Sequence, residues 1–539
     1  MFQRTSRSLL FLIVSVGLLT GCGNRETRVE QGNREGVLHV AIGAEPRDLD
    51  PHLVTAFTDM QVVLAFFEGL VAVDEVTSRP VPATAERWDV SDDGLTWTFH
   101  LRPDLKWSDG TPLTAETFRD SYLRALTPSL GSEYAYVLYP IRGAAAFNSG
   151  ETSDPSSLGV SAPDPQTFVI SLEQPTPMLA SILTLPVAFP APLHVVAQHG
   201  GLTDRSNRWT RPESIVGNGP FRITTWEPQS QIRGDRNPHF READNVGLNG
   251  VAFYPFENAV SQEAAFRSGQ LHLTSEVPLT KISAYREESP ELLRIDPFVL
   301  TGFMRFNLTH PPMDDVRVRR ALALSINRQA LADSVLKGGE SPADRLTPPN
   351  TAGYTAEATF GYDPATARQL LAAAGFPRGE GFPDLEIMSR SREINQSILE
   401  AVQQIWRTEL GIELNIAMKE QRVWLDDETH LNYDISNARW IGDYVEPYTF
   451  LELFLSYSGN NNTGWANADY DALLRQAAAE SDEATRYALY QQAEALLVAD
   501  TPIAPIYHGT QVFLKRPEVQ GWPPALLGFH RYHLVRLEP

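Results

Sequence analysis

The sequence predicts an α/β protein of several domains, and three observations carry that expectation. Strand-like and helix-like hydrophobic patterns alternate along the chain. No short internal repeat is visible, which argues against a solenoid or a propeller. The chain has 539 residues, of which 42% are hydrophobic, 10% aromatic and 21% charged. Those are ordinary values for folded domains of roughly 100–200 residues each.

Taken in order, residues 37–42 read as a first strand. Residues 97–101 alternate with period two after the turn signal Asp92-Asp93-Gly94. Residues 167–172 and 221–226 read as further strands. Helices dominate later. Asp314 or Asp315 caps a helix whose Val318, Ala321, Leu322, Ser325 and Ile326 share one face. Residues 364–374 form a helix closed by Gly375. Ile398, Val402, Ile405 and Trp406 stripe another. Tyr470, Leu473, Leu474 and Ala477 stripe one more, as do Leu489, Ala493, Leu496 and Leu497. Residues 502–507 are a short apolar strand. All these stripes are assigned to core.

The formal net charge is −22, which argues against general nucleic-acid binding and against a body that adheres to anionic lipid. Cys22 is the one cysteine, so an internal disulfide and a cysteine zinc site are excluded. Arg4 and Arg7 precede an apolar run over residues 9–19, the arrangement of a signal peptide. It ends in Leu19-Thr20-Gly21-Cys22, which resembles the bacterial lipobox and makes Cys22 the expected lipid attachment site. The polar residues 23–36 read as a flexible tether. No other segment has the 18 or more apolar residues of a membrane span. The expectation is a periplasmic lipoprotein of the cell envelope that meets the membrane only through its lipid.

No Lys is followed by Ser or Thr, so there is no P-loop. HExxH, GxSxG, GxGxxG and EF-hand patterns are absent, and the 12 His show no metal-ligand spacing. No catalytic residue, metal or cofactor is therefore expected.

Five segments together resemble the periplasmic oligopeptide-binding proteins of ABC importers, the peptide and nickel class of solute-binding family 5. They are Asp48-Leu49-Asp50-Pro51-His52 with Phe67-Glu68-Gly69-Leu70, then Ala85-Glu86-Arg87-Trp88 with residues 97–102 and 106–115. Asn218-Gly219-Pro220-Phe221 and residues 315–322 follow. The last is Arg439-Trp440-Ile441-Gly442-Asp443-Tyr444 with Glu446-Pro447 and Asn460-Asn461-Asn462-Thr463. The resemblance implies an α/β, two-lobed periplasmic binding protein fold of class II, in its three-domain variant. Domain I would comprise residues 37–71, 196–300 and 509–539, domain II 72–195, and domain III 301–508. The hinge would lie near residues 300–307 and 506–511.

The family also implies a site. An Asp shortly after a Trp pairs with the peptide α-ammonium, and here that position is Asp443, following Trp440. The segment suits the role physically, with an acid set among aromatics and a Gly. Tyr444 belongs to it. Asn460, Asn461, Asn462 and Thr463 resemble a ligand-lining loop, Trp440 and Trp465 pocket walls, and Asp59 and Tyr134 polar lining positions. Some relatives place carboxylate-binding Arg where this chain has Asn437 and Glu428; Arg439, two residues along the strand, is the substitute on the same face. The implied function is capture of short peptides and their delivery to ABC permease subunits, by a monomer that performs no chemistry and binds no nucleic acid. The alternatives are a binder of cell-wall or signalling peptides, an exported hydrolase or peptidase, and a chaperone-like holdase.

Overall fold

The computed structural model describes residues 26–538. The expected leader and Cys22 lie outside the described residues. Helix α1 (Arg28–Glu35) leads into strand β1 (Val37–Ile42), and helix α2 (Phe57–Phe66) follows. A second unit contains β2 (Ala85–Val90), β3 (Thr96–Leu101), helix α3 (Ala115–Leu126), β4 (Val160–Asp164) and β5 (Thr167–Ser171). The chain returns through β6 (Phe221–Glu227), β7 (Gln231–Arg236) and β8 (Gly250–Pro255). The third unit begins on the long strand β9 (Leu293–Phe306). It continues through β10 (Ser341–Pro342), β11 (Leu385–Arg390), helix α4 (Glu393–Leu410), β12 (Leu414–Lys419) and β13 (Ile435–Ile441). Helices α5 (Ala468–Ala479) and α6 (Glu483–Asp500) precede the last long strand, β14 (Ile503–Leu514).

Three main sheets result. The first runs β1–β8–β7–β6 and the second β2–β3–β5–β4. Their inner faces feed one continuous hydrophobic core. Leu38, Phe66 and Phe253 enter it from the first unit, and Phe99, Phe118 and Phe168 from the second. These two units therefore make one lobe. The third sheet, β10–β14–β9–β13–β11–β12, carries its own core around Phe303, Trp406, Tyr490 and Leu497. That is the second lobe.

A buried ion pair ties the two units of the first lobe. Arg124 on α3 donates Nη1 to Asp50 Oδ1 at 3.0 Å, and Trp209 Nε1 donates to the other Asp50 oxygen at 3.1 Å. The lobes are joined by the ribbon of β9 and β14. Its pairing is interrupted between Pro297↔Thr510 and Thr301↔His508. On one side of the break, Leu514 N–H donates to Thr274 Oγ1 at 2.8 Å in the first lobe. On the other side, residues 301–305 are held by both β13 and β14. The irregular stretch is thus 297–301 with 508–510, not the expected 300–307, most of which is locked into the third sheet.

The expected tether is also corrected. Residues 27–36 fold as a capped helix against β1. Thr27 Oγ1 accepts from Glu30 N–H at 3.2 Å while Glu30 Oε2 accepts from Thr27 N–H at 2.7 Å, a capping box. Val29 is buried, and Gly36 ends the helix at φ 70°. Polarity alone suggested flexibility, but the cap and the small Gly32 allow close packing. A Cβ at Gly32 would meet Val37 O at 2.5 Å.

Candidate functional site

The cleft originates in a divergence of strands. Strands β11 and β13 pair only at Ile387↔Ile435 and Met388↔Ser436. Strand β13 stays paired with β9 as far as Leu300↔Ile441. Residues 437–441 therefore have one neighbour strand, and their other edge faces a gap. A cavity of about 820 Å³ fills the gap, bounded by Arg390, Asn395, Trp424, Asn460 and Asn462. Arg439 and Trp440 line it and also line a second cavity, of about 790 Å³, between the lobes. Phe57 and Met60 of α2, Leu185 and Phe529 wall the second cavity, and Tyr134 and Asp443 supply polar groups.

Asp443 follows the end of β13, where its backbone N–H donates to Thr449 Oγ1 at 3.1 Å. Its Oδ1 accepts from the Tyr134 hydroxyl at 3.3 Å, a contact from the first lobe to the second. Burial raises its carboxyl to about 6. No Lys, Arg or His forms an ion pair with it among the described residues. Beside it, Glu452 is raised to about 8 by burial and then by the Asp443 charge, and accepts from Tyr444 Oη at 3.3 Å. An anionic, poorly solvated group without a cation is a receptor for an ammonium.

The far cavity has the opposite sign. Glu428 is matched by Arg305 of β9 at 2.9 Å and accepts from Ser436 Oγ at 2.7 Å. Arg390 and Arg439 have no carboxylate partner among the described residues, and Arg390 Nη2 is buried without a hydrogen bond. Burial lowers both guanidinium pKa values; the Arg439 charge lowers that of Arg390 further.

Of the expected site residues, Asp443, Trp440, Arg439, Tyr134 and Asn462 meet around the two cavities. The Trp440 indole Nε1 is buried and unpartnered. Five others do not line either cavity. Asn461 is a loop brace: its Nδ2 donates to Trp465 O at 2.8 Å and its Oδ1 accepts from Thr463 Oγ1 at 2.6 Å. Thr463 is fully buried by that role. Trp465 packs edge-on against Tyr470 in the second lobe's core and donates to Asp500 at 2.9 Å. Tyr444 is buried with its hydroxyl on Glu452. Asp59 is buried in α2, its carboxyl raised to about 6 by desolvation. The triple Asn and the double Trp looked alike in sequence; only alternation within a tight loop separates lining from bracing. The residues missed are Arg390, Asn395, Trp424, Tyr507 and the apolar walls Phe57 and Phe529. They arrive from separate segments, and no local signal marks them.

Among the described residues no group of three or more His, Cys, Asp or Glu is placed to hold a metal ion, and no helix is long and apolar enough to cross a membrane. Residues 79–462 match the bacterial extracellular solute-binding proteins, family 5 Middle. The chain is 37% identical over 488 residues to the probable deoxycholate-binding periplasmic protein YgiS of Escherichia coli, covering 89% of both. It is 32% identical to the periplasmic oligopeptide-binding protein OppA of Salmonella typhimurium, over 89% of this chain and 88% of that one. The solved structure of the Escherichia coli murein tripeptide binding protein MppA superimposes with a TM-score of 0.79 at 31% identity, covering 93% of this chain and 98% of that one. A two-lobed α/β frame with a ligand-sized cleft, matched along nearly its whole length by such relatives, leaves one assignment: the chain belongs to the bacterial extracellular solute-binding proteins of family 5.

Proposed function

We propose that this protein captures short peptides outside the cytoplasm and delivers them to an ABC permease, without chemistry of its own. The observation that carries the reading is Asp443, a carboxylate with no cation partner among the described residues, at the mouth of a strand edge. A peptide supplies what both features lack. Its α-ammonium neutralises Asp443, and its main chain adds a strand beside residues 437–441, with side chains in the flanking cavities. The relatives named as oligopeptide-binding proteins support the same reading, as does the absence of any nucleophile motif. The protein is proposed to act as a periplasmic monomer held to the membrane by lipid on Cys22.

Calorimetry on the purified protein tests it. Free-amine tri- and tetrapeptides should bind at micromolar or tighter affinity and be recovered intact, and their N-acetylated forms should not bind. Equal affinity for both forms, or cleavage of the peptide, would refute the proposal. A second reading rests on the apolar walls Phe57, Met60, Leu185 and Phe529 together with the relative named as probable deoxycholate-binding. An amphipathic carboxylate would fill those walls but meet Asp443 as a like charge. Under that reading deoxycholate binds the wild type, and Asp443→Asn strengthens it.

A further inference from the structure

Strands β14, β9 and β13 bring Tyr507, Gly302 and Arg439 into one row across the third sheet, since Gly302 pairs with both of the others. Directly paired residues share a face. Gly302 has no side chain to occupy the space, and the Tyr507 ring takes it; a Cβ there would lie 2.3 Å from Tyr507 Cε1. On the other flank of Arg439, β11 contributes Arg390 to the same cavity wall. The phenol and the two guanidiniums therefore form one end of the 820 Å³ cavity.

Among the described residues the charges at that end do not balance. Glu428 is consumed by Arg305. Arg390 and Arg439 remain, and the Arg392 charge bears on both. Glu340, a partly buried carboxylate, bears on Tyr507 and forms no ion pair with either arginine among the described residues. A single ligand carboxylate would still leave a buried positive charge uncompensated. We propose that Arg390 and Arg439, with Tyr507, form a specificity site for a doubly negative ligand end, and that the preferred peptides carry an acidic C-terminal residue. The α-carboxylate and the side-chain carboxylate each take one guanidinium, in charge-assisted hydrogen bonds. Asp443 lies four residues beyond Arg439, two of them past the end of the strand, so the two are separated by at most roughly 13 Å of chain. That is the reach of a tri- or tetrapeptide.

The inference rests on the peptide reading, so its test separates the two. Calorimetry on the full-length protein uses Ala-Ala-Glu and Ala-Ala-Ala-Glu against their Gln-ending counterparts, with N-acetyl Ala-Ala-Glu as a control for the amine end. The wild type should bind the Glu-ending peptide at least tenfold more tightly than the Gln-ending one at one of the two lengths. In Arg390→Gln and in Arg439→Gln that ratio should fall below threefold, while acetylation still weakens binding. A wild-type ratio near one at both lengths overturns the inference and leaves the peptide reading standing; this arm needs no variant to fold. A ratio that survives in the double variant overturns it too. If no free-amine peptide binds, the peptide reading falls and this inference falls with it.

Discussion

At Asp443 a negative charge sits where little water reaches, and its proton affinity follows. The native carboxyl titrates near 6 rather than at its ordinary 3.8 because burial penalises the ionised form. The native state therefore holds the proton through the window from pH 4 to 6, where the unfolded chain has released it. Stability of the ligand-free protein falls as pH rises through that window, by at most about 3 kcal/mol from this group. Glu452, raised to about 8, adds a fall of the same sign up to neutral pH. An ammonium ligand reverses the preference, because only ionised Asp443 pairs with it. Thermal denaturation should show a higher Tm at pH 5 than at pH 7 without peptide, while peptide affinity rises over the same interval. Asp443→Asn should flatten the pH dependence of affinity and reduce that of Tm. A peptide affinity independent of pH between 5 and 7 would count against the role. Asp443→Ala should weaken free-amine peptides by roughly a hundred- to several-thousand-fold, the scale of removing one partner of a buried pair.

Among the elements, the motifs that made the family recognisable are mostly braces. Asn218 accepts from Glu68 N–H at 3.0 Å and donates to Glu68 O at 2.7 Å, so two of the quoted segments hold each other. Glu68 is in turn gripped by Arg241 through Nε at 2.7 Å and Nη2 at 2.9 Å. Arg319, in a third segment, donates to the carbonyls of Met313 and Thr501 at 2.7 and 3.0 Å. Such residues are bound to one geometry and stay legible as short strings. Asp443 and Trp440 were legible because they lie on the same strand end as the bracing Glu446-Pro447 turn. Arg390, Tyr507 and Phe529 were not, because each enters the cleft alone from a strand or loop whose sequence obeys core rules. The helix Arg28–Glu35 is the converse: its capping box Thr27–Glu30 is a local signal, but the polar composition around it reads as a tether. The brace at Asp50 gives the test. Asp50→Asn leaves the Arg124 guanidinium buried without its anion, at a cost of about 3–5 kcal/mol. Urea unfolding should show a free energy of unfolding lower by that amount and so a lower midpoint, with peptide affinity of the folded protein unchanged, since Asp50 touches neither cavity. An unchanged midpoint would mean that the pair is not a brace.

For the whole molecule, the decisive fact is two large cores, with a smaller cluster around Tyr254, Phe266 and Leu514, and one irregular two-strand crossing between the lobes. The first core draws on residues from Leu38 to Val535, whereas the second lies between Val299 and Leu527. Across the lobes the polar contacts are few: Tyr134 to Asp443 at 3.3 Å, Arg79 to Glu483 at 3.8 Å and Arg286 Nη2 donating to Lys337 O at 3.4 Å. Such contacts contribute only about 1 kcal/mol or less each. Among the described residues Tyr444 is the one buried second-lobe side chain in the first lobe's core, so without ligand the lobes should be weakly coupled and unfold as separate cooperative units. A peptide held by Asp443 on one side and by the walls Phe57 and Met60 on the other belongs to both lobes at once. Binding to the native state alone stabilises it by about 2.7 kcal/mol at a ligand concentration a hundredfold above Kd. That stabilisation is lost when either lobe unfolds, so it couples them. Scanning calorimetry should resolve two transitions in the free protein and a single higher one with saturating tripeptide. In Asp443→Ala the peptide should neither raise nor merge the transitions. One transition in the free protein would mean that the crossing at residues 297–301 and 508–510 transmits unfolding by itself, and that the lobes are coupled before any ligand arrives.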